Sequence, residues 1–184
     1  MTNINELPAD LPIPQDDGAA DHLRGMKLPN VTLQATNGQM IDLGSIKQKL
    51  IIYCYPMTGQ PNVALPEGWD QIPGARGCTP QSCAYRDHYQ ELQSLGARVI
   101  GLSVQTTEYQ KEMADRLHLP FPVVSDVHYQ FQKALKMPTF MSAGMTLLKR
   151  VTLIANNGAI EAVHYPIFPS DSDAAWVLEY LKTH

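Results

Sequence analysis

Apolar positions fall into short, distinct patterns from Leu28 onward. Leu28, Val31 and Leu33 precede Asn37-Gly38, and Met40, Ile41 and Leu43 follow it. Asn-Gly between two apolar stretches predicts a β-hairpin. Leu50 to Tyr55 is an almost unbroken apolar run that ends at Pro56, which predicts a strand buried on both faces. Ala97 to Val104 repeats that pattern, and Phe121 to Val124 gives a shorter strand. Val151 to Ala155 and Ala159 to His164 flank Asn156-Asn157-Gly158 and predict a second hairpin. Helical signals fill the gaps. Thr79-Pro80 supplies a capping hydroxyl and a first-turn proline, and the helix should run through Tyr85, Tyr89 and Leu92 to Leu95, with Gly96 as its stop. Thr106 or Thr107 caps a helix carrying Tyr109, Met113 and Leu117. Val127 to Leu135 predicts a short helix, and Asp173 to Leu181 a terminal one with Trp176, Val177 and Tyr180 on one side.

Strands alternating with helices imply an α/β fold, with a central mixed β-sheet flanked by helices on both faces. No internal repeat or second domain is visible, so residues 22–184 read as one domain opened by the first hairpin. Residues 1–21 are rich in Pro, Asp, Asn and Gly without an apolar period, which predicts a flexible N-terminal arm. Met57 to Gly77 holds three prolines and four glycines. A loop of that length inside a compact domain is usually functional or mobile.

Composition narrows the function classes. Of 184 residues, 44% are hydrophobic and 17% charged, enough for one sizeable core. A net charge of −4 without a basic run argues against nucleic acid or an anionic membrane as partner. No apolar run reaches the roughly 20 residues of a membrane span. The N-terminal sequence has neither the basic nor the apolar region of a secretory signal, so the expected location is the cytoplasm. Three cysteines cannot all pair, and in a reducing compartment a pair that matters is catalytic or redox-active rather than a structural staple.

Cys78 stands where the long loop meets a helix N-terminus. Partial positive charge there favours thiolate over thiol, Arg76 adds to it, and Gly77 leaves the approach to sulfur open. A thiolate is the form that reacts with peroxide or disulfide. Cys83 lies five residues further along the same predicted helix, so the two Cα atoms should be roughly 8–9 Å apart on different faces. A disulfide needs less than about 7 Å, and a bond between them would require the first turn or more to unwind. The structural alternative for both is a small buried hydrophobe. That reading is favoured for Cys54, which sits inside the apolar strand between Tyr53 and Tyr55.

The segment Gly77-Cys78-Thr79-Pro80-Gln81-Ser82-Cys83-Ala84-Tyr85-Arg86-Asp87 resembles the active-site helix of the peroxiredoxins. It is most similar to the peroxiredoxin Q, or bacterioferritin comigratory protein, group, which reads roughly Gly-Cys-Thr-x-Glu-x-Cys-x-Phe-Arg-Asp. Leu119-Pro120-Phe121-Pro122-Val123-Val124-Ser125-Asp126 and the strand opened by Arg150 resemble later segments of the family. The match runs from about Leu28 to Leu181. The resemblance implies a thioredoxin-like fold and a thiol-dependent peroxidase acting on hydrogen peroxide or organic hydroperoxides. It makes Cys78 the peroxidatic and Cys83 the resolving cysteine, joined in an intramolecular disulfide that thioredoxin or a similar dithiol reduces. It makes Arg150 the arginine that contacts sulfur and peroxide, puts Pro56, Gly77 and Gln81 around the substrate, and implies a monomer or weak homodimer without cofactor or metal. Two departures stand out. The residue three before Cys78 is Ala75 where the family has threonine, and an insertion of about residues 60–76 separates Pro56 from Cys78. Thr58 is the expected substitute hydroxyl if the insertion loops out. Gln81 replaces the group's glutamate, without charge.

Competing readings are a thiol–disulfide oxidoreductase or redox sensor, against which stands the lack of Cys-x-x-Cys, and a non-enzymatic interaction protein that kept the fold. The six histidines form no metal-ligand spacing with a cysteine. Trp69 is expected to anchor the insertion as a buried aromatic. Met137, Met141 and Met145, four apart around Pro138, suggest core packing or a flexible apolar patch.

Overall fold

A computed structural model describes residues 3–184. The first hairpin pairs β1 (Thr32–Ala35) with β2 (Met40–Asp42) across the Asn37-Gly38 turn. Then follow β3 (Lys49–Cys54), α1 (Cys78–Asp87), α2 (Tyr89–Ser94), β4 (Ala97–Ser103), α3 (Thr107–Arg116), β5 (Val123–Ser125) and α4 (Gln130–Leu135). The chain closes with β6 (Thr139–Ser142), β7 (Met145–Leu148), β8 (Val151–Asn156), β9 (Ala159–His164) and α5 (Asp173–Thr183). Seven strands form one mixed sheet in the order β2-β1-β5-β4-β3-β8-β9. β3, β4 and β5 are parallel, and β1, β8 and β9 join antiparallel. Among the described residues no helix is long and apolar enough to cross a membrane.

β3 shows why the sheet is covered on both faces. Leu50, Ile52 and Cys54 join one buried cluster, with Leu23, Leu28, Phe131 and Leu135. Ile51, Tyr53 and Tyr55 turn the other way, into a cluster with Tyr85, Leu92, Met113 and Val177 from α1, α2, α3 and α5. Alternation of side chains along a strand makes a continuous apolar run serve both layers. Tyr53 needs its space. A Cβ at Gly101, paired opposite it on β4, would stand 2.8 Å from the Tyr53 ring and hydroxyl.

Two differences from the sequence reading have local causes. The helix expected from Thr79 to Leu95 is two helices, because His88 leaves helical geometry (φ −97°, ψ 5°) between α1 and α2. The methionine spacing marks a hairpin, β6–β7, turned by Ala143 and Gly144, both at positive φ. Met137 is buried while Met141 is 64% exposed. Ala-Gly carries a weaker turn signal than Asn-Gly, which is why this hairpin was not legible.

The segment expected to be a flexible arm makes specific contacts in residues 3–21; its first two residues lie outside the described ones. Asn3 and Glu6 offer carbonyls to the Arg76 guanidinium, and Asp17 accepts from Lys149 and Tyr165. Ala20 and Leu23 are buried in the core. Trp69 is buried against Phe140, so it does anchor the insertion.

Burial holds the Cys54 thiol and the Tyr53, Tyr55 and Tyr85 phenols well above their ordinary values of about 9 and 10. The folded chain keeps these protons, whereas the unfolded chain releases them once the pH passes those ordinary values. Their contribution to stability is therefore complete below pH about 9 and is lost as pH rises. Urea unfolding at pH 10.5 should give a stability lower than at pH 7 by about 4–5 kcal/mol. Equal stability at both pH values would contradict the burial of these four groups.

Candidate active site

Gly77 ends the long loop at φ 110°, a left-handed conformation suited to glycine. A side chain there would also collide with Ser170 Oγ and approach Leu7 Cδ2 to 2.8 Å. The Gly77 carbonyl is held twice, by Gln81 N–H at 3.0 Å and by the Ser170 hydroxyl at 2.8 Å. Cys78 is then the first residue of α1, 4% exposed, where the helix N-terminus adds positive potential.

Arg150, just before β8, reaches across to this loop and is itself 4% exposed. Its guanidinium donates to the carbonyls of Gly74 (3.3 Å), Ala75 (3.0 Å) and Arg76 (3.2 Å), and to Gln81 Oε1. Nη2 also lies 3.4 Å from Cys78 Sγ. An arginine stays protonated, and none of these partners carries a full charge as long as Cys78 keeps its proton. A thiolate at Cys78 would supply the missing negative charge. The protonated thiol has one acceptor within reach, the Ala75 carbonyl at 3.9 Å.

Gln81 links this cluster to a buried carboxylate. Its Nε2 donates to Asp173 Oδ2 at 2.8 Å, and Asp173 is fully buried at the start of α5. The same oxygen accepts from Tyr85 OH (2.8 Å) and Thr152 Oγ1 (2.7 Å), while Oδ1 meets His164 Nδ1 at 2.7 Å. The His164 ring stacks on Trp176.

The structure thus brings Cys78, Gly77, Gln81 and Arg150 together. Cys83 lies on the same continuous helix and is half-buried, packed against the apolar layer under α1. All three cysteines are free. Burial pushes the Cys83 thiol up, with the Arg86 charge acting in the opposite direction. Pro56 and Thr58 follow β3; the Thr58 hydroxyl donates to the Gly59 carbonyl at 3.3 Å, and its N–H bonds to Gln105 Oε1 at 2.9 Å. No hydrogen bond joins Thr58 to Cys78 or Arg150. Arg76 pairs with Asp70 at 3.0 Å and with the arm, and no hydrogen bond joins it to Cys78. A small cleft over Cys78 is lined by Ile4, Met57, Gly59, Leu65, Trp69 and Thr79 among others, so arm and insertion together form its mouth.

Asp173, Ser170 and His164 were not singled out from the sequence. Asp173 reads there as an ordinary first-turn acid, and only its complete burial beside Gln81 marks it out. Among the described residues no group of three His, Cys, Asp or Glu side chains could hold a metal ion.

The redoxin family model matches residues 23–178. The chloroplastic peroxiredoxin Q of Sedum lineare is 29% identical over 162 residues, covering 87% of this chain and 78% of that protein. In three dimensions the chain is similar to a peroxiredoxin Q of Xylella fastidiosa, with a TM-score of 0.71 and 20% identity over 88% of this chain and 96% of that one. It is also similar to the bacterioferritin comigratory protein of Xanthomonas campestris, described for its alkyl peroxide reduction activity (TM-score 0.65, 19% identity, 95% and 99% covered).

The three thiols should separate under iodoacetamide. In native, reduced protein at pH 8, Cys78 should be alkylated first, Cys83 more slowly, and Cys54 only after unfolding. Peptide mapping by mass spectrometry reads the order, and labelling of Cys54 at a rate like that of Cys78 would contradict the placement.

Proposed function

The chain belongs to the redoxin family and is a peroxiredoxin, a thiol-dependent peroxidase; from that premise we propose that Cys78 is its nucleophile and Cys83 its resolving thiol. The observation that carries this reading is the buried Arg150 guanidinium, 3.4 Å from Cys78 Sγ and without a carboxylate among its partners.

The Cys78 thiolate attacks one peroxide oxygen. The new S–O bond forms as the O–O bond breaks, leaving a sulfenic acid on Cys78 and an alkoxide or hydroxide that takes a proton to become alcohol or water. Arg150 supports the thiolate and the charge that develops on the departing oxygen. Cys83 then gives up its thiol proton and attacks the sulfenic sulfur, releasing water and closing the disulfide. Both sulfurs start on one helix at a separation too long for a bond, so the first turns of α1 unwind in this step. A thioredoxin-type dithiol restores both thiols by exchange. A cytoplasmic setting and a monomer or weak homodimer belong to the same proposal. The Thr58 hydroxyl is the proposed peroxide contact; donating to peroxide would take its proton from the Gly59 carbonyl.

Two variants test the roles. Cys83→Ser should reduce one equivalent of peroxide and stop as a sulfenic acid that dimedone traps at Cys78. Arg150→Met should slow the reaction with peroxide by about 100-fold, as expected for removal of a donor aimed at developing charge. Trapping at Cys83 or Cys54 instead, or an Arg150→Met enzyme with the parent rate, would overturn the assignment.

A further inference from the structure

Gln81 is the least constrained group by chemistry and the most constrained by position. An amide presents an oxygen on one side and an NH2 group on the other, and the two ends have nearly the same shape. In this site the oxygen faces a guanidinium that can only donate, so the reverse orientation would set donor against donor. Arg150 thus sets the amide from one side. Asp173 sets it from the other: its Oδ2 takes the Gln81 NH2 group at 2.8 Å, beside the Tyr85 and Thr152 hydroxyls that donate to the same oxygen.

We propose that Asp173 is the positioning residue of this site: it fixes the Gln81 amide with its oxygen toward Arg150 and thereby holds the guanidinium over Cys78. The assignment rests on the peroxidase reading with Cys78 as nucleophile. Asp173 touches neither the sulfur nor the cleft above it; it acts through one intervening amide.

Burial makes this arrangement specific. Arg150 is nearly buried, and Gln81 and Asp173 wholly so, where a polar atom left without a partner is costly. Asp173 is held in turn from three elements. Tyr85 comes from α1, Thr152 from β8 and His164 from β9, and all four contacts of Asp173 are close to 2.7–2.8 Å. Oδ2 is therefore occupied by three donors and Oδ1 lies against His164 Nδ1, so the carboxylate is held with an accepting oxygen toward Gln81. An asparagine at 173 would lose that property. It could present its own NH2 group, and the Gln81 amide could then turn its oxygen inward and its NH2 group toward Arg150. A glutamate at 81 would remove the ambiguity again, because a carboxylate shows oxygen on both sides and accepts from Arg150 whichever way it turns.

The test is a double-mutant cycle. Asp173→Asn should lower the rate of Cys78 with hydrogen peroxide about 10-fold and move the pH midpoint of Cys78 alkylation upward. Asp173→Asn combined with Gln81→Glu should recover most of the rate and return the midpoint toward that of the parent. A merely structural role for Asp173 predicts lower thermal stability with the parent pH profile, and no recovery from the change at 81. Either a parent-like rate and midpoint in folded Asp173→Asn, or a loss that Gln81→Glu leaves in place, would overturn the proposal. Should the single variant not fold, the parent protein serves. Its Gln81 side-chain amide protons should appear in one conformation and be protected from hydrogen exchange, and freely exchanging protons would count against the proposal. Failure of Cys78 to react in the parent protein would instead sink the peroxidase reading, so the two failures are distinguishable.

Discussion

A buried guanidinium without a carboxylate in contact is the constraint on which this site depends. Taking a charge out of water costs several kcal/mol unless hydrogen bonds and an opposite charge replace the solvent. Arg150 satisfies the first need with three successive carbonyls of the loop and the Gln81 oxygen. In the proposed mechanism a thiolate at Cys78, 3.4 Å from the guanidinium, meets the second need by direct contact. The loop that precedes α1 is thus drawn in around Arg150, and the sulfur is delivered to the one position where a thiolate completes an ion pair. Fold and proposed reactivity share this contact: the arginine stands immediately before β8 and the sulfur opens α1.

The same helix that presents Cys78 keeps Cys83 out of reach, so the resting state and the resolved state exclude each other. Unwinding between the two cysteines removes Gln81 from Arg150 and Asp173, and Ser82 from the Tyr53 hydroxyl. In the proposed mechanism, resolution therefore dismantles the contacts that hold Gln81 against Arg150. The Ser170 bond to the Gly77 carbonyl lies just before the segment that moves. Burial of the Cys83 thiol adds to this order of events, since a thiol held above its ordinary value is a weak nucleophile until the helix opens.

Much of the fold was legible because period and punctuation agreed. The β3 run, the two Asn-Gly hairpins and the Thr106 cap all carry their structure in adjacent residues. The β6–β7 hairpin was not, since Ala-Gly carries a weak turn signal and its methionines mimic a helical spacing. The break at His88 was also hidden, because no proline or glycine marks it. Within the site, Cys78, Gly77, Gln81 and Arg150 could be named from sequence. Arg76 could be named but not oriented; its guanidinium answers Asp70 and the arm rather than the sulfur. Asp173 could not be named, because nothing local separates a helix-start aspartate facing water from one buried against a distant glutamine.

The fate of the two α1 sulfurs after one turnover is the most direct test of the proposed roles. Stoichiometric hydrogen peroxide would be added to fully reduced protein, quenched from milliseconds to seconds, alkylated and mapped by mass spectrometry. A Cys78–Cys83 disulfide should appear within that window while Cys54 stays free. A Cys78 that remains reduced for minutes, or a disulfide that engages Cys54, would contradict those roles.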